Sequence, residues 1–126
     1  MAIVNQVQKQ VRMNQWDIIK FQLIVHCYFN NVLVTDLDLN CLTLLALTGE
    51  QTLGDFCDIA EENRIFGSSQ SVRNALVKAE KKQLITKVGK NKKKISLNVK
   101  NIRVDGNILL DYKILRVEPQ EVEVSV

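Results

Sequence analysis

Apolar residues recur at intervals of three and four through the middle of the chain and at alternate positions toward its end, so helices are expected first and strands afterwards. In residues 16–29, ten of the fourteen positions are apolar, and Asn14 stands where a cap would start a helix running to about Asn30. Such a helix is apolar on more than one face, and part of it needs cover from elsewhere in the chain or from a second copy. The β-branched and aromatic run Ile24-Val-His-Cys-Tyr-Phe29 would also suit a strand. Asn30-Asn31 marks a break.

Thr35 or Asp36 then caps a second helix with Leu37, Cys41, Leu44, Leu45 and Thr48 on one face and Gly49 placed to end it. Thr52 and Asp55 form a further helix start. Leu53, Phe56, Cys57 and Ala60 follow at i, i+3, i+4 and i+7, which predicts a short amphipathic helix ending near Asn63. After the turn Arg64-Ile-Phe-Gly67, with Ile65 or Phe66 turned inward, Ser68 or Ser69 caps a last helix. Its Val72, Leu76 and Ala79, with Ala75 beside them, make an apolar face, and Gln70, Arg73, Asn74, Val77, Lys78 and Lys81 point the other way.

Residues 84–88 and 93–97 flank a tip, Gly89-Lys-Asn-Lys92, whose glycine and asparagine tolerate positive φ, and the whole reads as a hairpin with Ile85 and Ile95 on the core side. The tail is rich in extended patterns. Ile102-Arg-Val104, an Asp105-Gly106 turn and residues 108–115 suggest one more hairpin, and the alternating Glu121-Val-Glu-Val-Ser-Val126 suggests a strand-like arm beyond Pro119.

Charge sharpens this picture. From Ser71 to Arg103 there are eleven basic residues against Glu80 alone, a local net charge of +10 inside a chain whose total is only +3. A field concentrated in this way is the footprint expected where phosphates are neutralised. Aromatic residues do not interleave with the lysines, which favours a duplex over stacked single strands. At 126 residues, 46% apolar and 25% charged, the chain suits one compact domain with arms.

Other chemistry finds little support. Cys27, Cys41 and Cys57 are odd in number, form no C-x-x-C pair and have only His26 as a nitrogen ligand, so buried free thiols in a reducing, cytoplasmic setting are expected and no metal or other cofactor is. Helical spacing and capping account for Glu50, Asp55, Asp58, Glu61 and Glu62 without an acid–base role. No Gly-x-Ser-x-Gly turn and no phosphate-cradling glycine loop is present, so an enzyme is not expected. The amino terminus lacks a signal-peptide pattern, and the apolar run at 16–29 falls short of the ~20 residues that span a membrane.

The segments Asp38-Leu-Asn-Cys-Leu-Thr-Leu-Leu45, Thr52-Leu-Gly-Asp-Phe-Cys-Asp-Ile-Ala60, Ser69-Gln-Ser-Val-Arg-Asn-Ala-Leu76 and Glu80-Lys-Lys-Gln-Leu-Ile85 follow one another in an order that resembles the winged helix-turn-helix fold, in its MarR-like branch. The resemblance covers residues 35–98 and implies an α+β fold: a three-helix core and a β-hairpin wing, here with an additional N-terminal helix and an extended β-rich C-terminal tail in place of the family's long C-terminal helix. The expected organisation is an N-terminal arm (1–13), the winged-helix domain (14–98) and a C-terminal extension (99–126). The resemblance implies that Ser69, Gln70, Ser71, Arg73, Asn74 and Lys78 enter the major groove, and that Lys90, Lys92, Lys93 and Lys94 reach phosphates or the adjacent minor groove. The function implied is that of a dimeric transcriptional regulator bound to double-stranded DNA. The rival expectation is a structural or adaptor protein, such as a bacteriophage virion or packaging component, whose β arm adds to a neighbour's sheet.

Overall fold

A computed structural model describes residues 2–116 of the chain, an α+β arrangement of four helices and two small antiparallel sheets. The chain divides into two units, residues 13–106 and a second made by the terminal segments.

Within the larger unit, α1 (Gln15–Phe29), α2 (Asp36–Thr48), α3 (Leu53–Glu62) and α4 (Ser69–Lys81) each begin at a side-chain cap. Asn14 Oδ1 accepts from the Asp17 amide at 2.8 Å, Thr52 Oγ1 from Asp55 at 3.2 Å, and Ser68 Oγ from Ser71 at 3.2 Å. Thr35 makes a full capping box, accepting from the Asp38 amide at 3.1 Å while Asp38 Oδ2 accepts from the Thr35 amide at 3.2 Å. The helix ends are equally local. Val32, Ile65 and Leu84 donate their amides to Cys27, Ala60 and Ala79, five residues back, across the left-handed residues Asn31, Arg64 and Gln83. These are Schellman-type closures, each of which turns an apolar residue inward just past its helix.

Helix α2 is the axis of the core. The expected face included Leu37 and Thr48, yet both are exposed, while Leu39, Cys41, Leu42, Thr43, Leu44 and Leu45 are all buried. The helix is covered nearly all round because α1, α3, α4 and a strand of the hairpin pack against it. Thr43, buried with its neighbours, satisfies its hydroxyl by donating to the Leu39 carbonyl at 2.7 Å. Phe56 of α3 and Val72, Ala75, Leu76 and Ala79 of α4 complete the same cluster with Ile19 and Leu23 of α1. Ile65 and Phe66 both pack against it.

The sheet of this unit has the order β2-β4-β3. Here β2 is Gln51–Thr52, β3 is Ile85–Val88 and β4 is Lys94–Leu97. Register pairs Ile85 with Leu97 and Lys87 with Ile95, while Gln51 lies opposite Ile95, so the buried Ile85 and Ile95 share the core face. After β4 the chain returns to α1. Gln22 Nε2 donates to the Arg103 carbonyl at 2.7 Å, Gln22 Oε1 accepts from the Arg103 amide at 2.9 Å, and Val99 is buried. Residues 102–104 therefore form no strand, contrary to the hairpin expected across Asp105-Gly106.

The strand expected at 108–115 pairs instead with the amino terminus. In the second unit β1 (Ala2–Val11) runs antiparallel to β5 (Ile108–Arg116), with Val11 opposite Ile108, Val7 opposite Tyr112 and a register shift between Ile3 and Asn5. Glu121, Val126 and Pro119 lie outside the described residues.

Candidate nucleic-acid interface

Helical geometry divides α4 sharply. With Val72, Ala75, Leu76 and Ala79 in the core, the opposite ridge carries Gln70, Asn74, Val77 and Lys81, all exposed. Gln70 Nε2 donates to Asn74 Oδ1 at 3.0 Å, one turn apart, so the two amides hold each other at the crest of the helix. That pairing leaves the Asn74 amide protons and an Oδ1 lone pair free for a further partner.

The flanks of the helix are otherwise engaged. Ser69 donates to Glu61 Oε1 on α3 at 2.7 Å, and Ser71 Oγ lies 3.1 Å from the capping Ser68 Oγ. Lys78 turns toward the start of α2, where its Nζ is 3.7 Å from the buried Asp38 carboxylate. Arg73 is exposed on the other flank, beside a cleft of about 230 Å³ that separates α4 from the hairpin and is floored by Leu53, Leu76, Ile85 and Ile95.

The hairpin tip is a tight turn. Gly89 (φ +85°) opens it, Asn91 and Lys92 are also left-handed, and a single 3₁₀ turn over Lys90–Lys92 brings the chain round to β4. Lys90, Lys92, Lys93 and Lys94 are all exposed, and among the described residues none of them, nor Lys81, has an acidic partner within ion-pair distance. Two other basic residues of the stretch are committed. Lys87 pairs with Glu80 at 3.6 Å, and Lys82 donates to the Leu33 carbonyl. Of the ten residues picked out from the sequence, Ser69 and Lys78 reach carboxylates of other helices, Ser71 lies against its own helix cap, Gln70 and Asn74 bond each other, and the side chains of Arg73, Lys90, Lys92, Lys93 and Lys94 have no hydrogen bond or ion pair among the described residues. Val77 and Lys81 belong to the open ridge without having been picked out; their spacing of three and seven residues from Asn74 is the signal that finds them.

Away from this surface the chemistry is quiet. Among the described residues no three His, Cys, Asp or Glu side chains come together as metal ligands. Cys27, Cys41 and Cys57 are buried and unpaired. Burial pushes the Cys41 thiol up to about 12, and Asp38 and Cys57 add to the rise. Burial also raises Cys57 against the opposing pull of Arg73, and Cys27 against that of Lys82. All three thiols should resist alkylation in the native protein at pH ~8 and react only on unfolding.

A pH effect on stability follows. Below the ordinary thiol value of 9.0 folded and unfolded chains both keep the Cys41 proton, and its contribution is fully present. Between 9.0 and about 12 only the unfolded chain ionises, so stability falls with rising pH, by about 1.4 kcal/mol per pH unit for this thiol. Urea titrations across that window should show the slope, and Cys41→Ala should lessen it by that amount, leaving the shares of Cys27 and Cys57.

No helix among the described residues is long and apolar enough to cross a membrane. Comparison with known proteins found no matching family model, no matching curated protein and no matching solved structure.

Proposed function

We propose that residues 13–106 form a winged helix-turn-helix unit that binds double-stranded DNA and serves as a transcriptional regulator, with α4 as its reading helix and the β3–β4 hairpin as its wing. The observation that carries this reading is the pairing of an exposed Gln70–Asn74 ridge with a hairpin tip bearing four lysines free of acidic partners among the described residues. The order α2-β2-α3-α4-β3-β4, with β4 between β2 and β3, is the order a winged helix-turn-helix requires, and it supports the same conclusion.

The chemistry of the ridge indicates what it reads. Asn74, buttressed by Gln70, can give an amide proton to adenine N7 while its oxygen accepts from N6, and Val77 offers an apolar contact for a thymine methyl one turn along. Arg73 is the guanidinium available for guanine. The wing lysines carry no such selectivity and supply affinity through phosphates.

The test compares two substitutions on a selected duplex. Asn74→Ala should cost about 1–3 kcal/mol of discrimination at one base pair while leaving the salt dependence unchanged. Lys78→Ala, which removes a side chain turned toward Asp38, should leave base preference intact. If Asn74→Ala weakens binding equally on every sequence, α4 is not the reading helix.

A further inference from the structure

The end of α1 leaves open a surface that the duplex-binding reading does not use. Tyr28, Phe29 and Leu33 are 78%, 75% and 85% exposed, and Ile24, one turn before Tyr28, is 43% exposed. The Tyr28 and Phe29 rings meet edge to face at 5.8 Å, and beside them a groove of about 550 Å³ is lined by Cys27, Tyr28, Phe29, Asn31, Val32 and Leu33. We infer that this surface is a homodimer interface, in which the Phe29 and Leu33 side chains of one copy enter the groove of a second copy related by a twofold axis.

Three features select a second copy as the occupant. First, knob and groove lie on one patch, which is the condition for an isologous contact in which each surface receives what it offers. Second, the patch is built from an uncharged segment, and the cation that reaches it, Lys82, is engaged by the Leu33 carbonyl. Residues 21–35 contain no Asp, Glu, Lys or Arg, although a quarter of the chain is charged, so two copies can meet here without the repulsion that the lysine-rich hairpin would impose. Third, the area is sufficient. With a whole aromatic residue at 150–250 Å², the four side chains offer on the order of 500 Å², near the top of what monomers leave open and more than half of the ~800 Å² that one partner buries in a standard interface.

The surface is also held in shape. The Val32 amide donates to Cys27 across the left-handed Asn31, Asn30 Nδ2 donates to the His26 carbonyl at 2.8 Å, and Lys82 fixes the Leu33 carbonyl from the end of α4. A preorganised turn loses little freedom on association.

Sedimentation equilibrium of the full chain tests this directly, and the result stands whether or not the chain binds DNA. The expected result is a dimer with a dissociation constant at or below about 1 µM, weakened about 100-fold or more by Phe29→Asp or Leu33→Asp through burial of an unpaired charge. Both positions are exposed, and thermal unfolding should show the fold retained. Should the charged variants fail to fold, Phe29→Ser removes the ring without adding charge and should weaken the dimer in the same direction. A wild-type chain that stays monomeric at about 100-fold above that constant would overturn the inference, pointing to a different partner or to another part of the chain as the cover. So would a dimer whose affinity none of the variants changes.

Discussion

Replacing Lys90, Lys92, Lys93 and Lys94 together by glutamine is expected to lower affinity for duplex DNA by on the order of 10²- to 10³-fold near physiological salt, and by the same factor on every sequence. The four side chains are exposed on one hairpin tip, and among the described residues none has an acidic partner to compete with phosphate. Each phosphate neutralised releases counterions in proportion to ~0.9 per contact, so removing four contacts should flatten the slope of log affinity against log salt by about 3.6. Glutamine keeps the polarity and most of the length of each side chain, and the left-handed Lys92 is no more strained as glutamine than as lysine. Filter binding or fluorescence anisotropy across a salt series reads both quantities. An unchanged slope would mean that the tip does not touch the backbone and that the wing assignment fails.

Phe56→Ala should cost about 3–5 kcal/mol of folding stability, seen as a lowered urea midpoint. Phe56 is fully buried on α3 and belongs to the cluster that joins α1, α2, α4 and the hairpin. Truncating it removes the transfer energy of a whole ring and leaves a cavity bordered by several elements, so collapse around the gap is restricted. Domains of this size commonly have only ~5–15 kcal/mol in total. The variant should therefore be marginally folded, and the duplex affinity proposed for α4, whose entry is set by the turn after α3, should fall along with the fold. A loss below about 1 kcal/mol would show that the cluster is not the shared core described here.

The parts of the fold that were legible in the sequence are those governed by neighbours in the chain. Asn14, Thr35, Thr52 and Ser68 each cap the helix they precede, because a cap needs only a side-chain oxygen and an amide three residues on. The burial of Val72, Ala75, Leu76 and Ala79 follows from helical spacing, and that of Ile85 and Ile95 from strand alternation and register. What depended on distant partners was not legible. The pairing of β1 with β5 joins residues about a hundred positions apart, and nothing local distinguishes Ile108 paired with Val11 from Ile108 folded back across Asp105-Gly106. The near-complete burial of α2, the recruitment of residues 99–103 by Gln22 and the capture of Lys78 by Asp38 are tertiary in the same sense. For the candidate interface, helical spacing put Gln70, Arg73 and Asn74 on the face away from the core and the winged-helix resemblance suggested their role, whereas the engagement of Ser69 by Glu61 required knowing that α3 and α4 lie side by side.

The most direct measurement is a selection of the full chain on random duplex DNA at about physiological salt with excess competitor, conditions under which binding through charge alone is weak. The expected result is enrichment of a twofold-symmetric site whose half-sites carry A·T pairs, as a dimer reading through Asn74 and Val77 requires. Failure to enrich any sequence, with tight binding seen only at low salt, would contradict the regulator reading and leave the lysines as a general charged surface on a scaffold built for protein contacts.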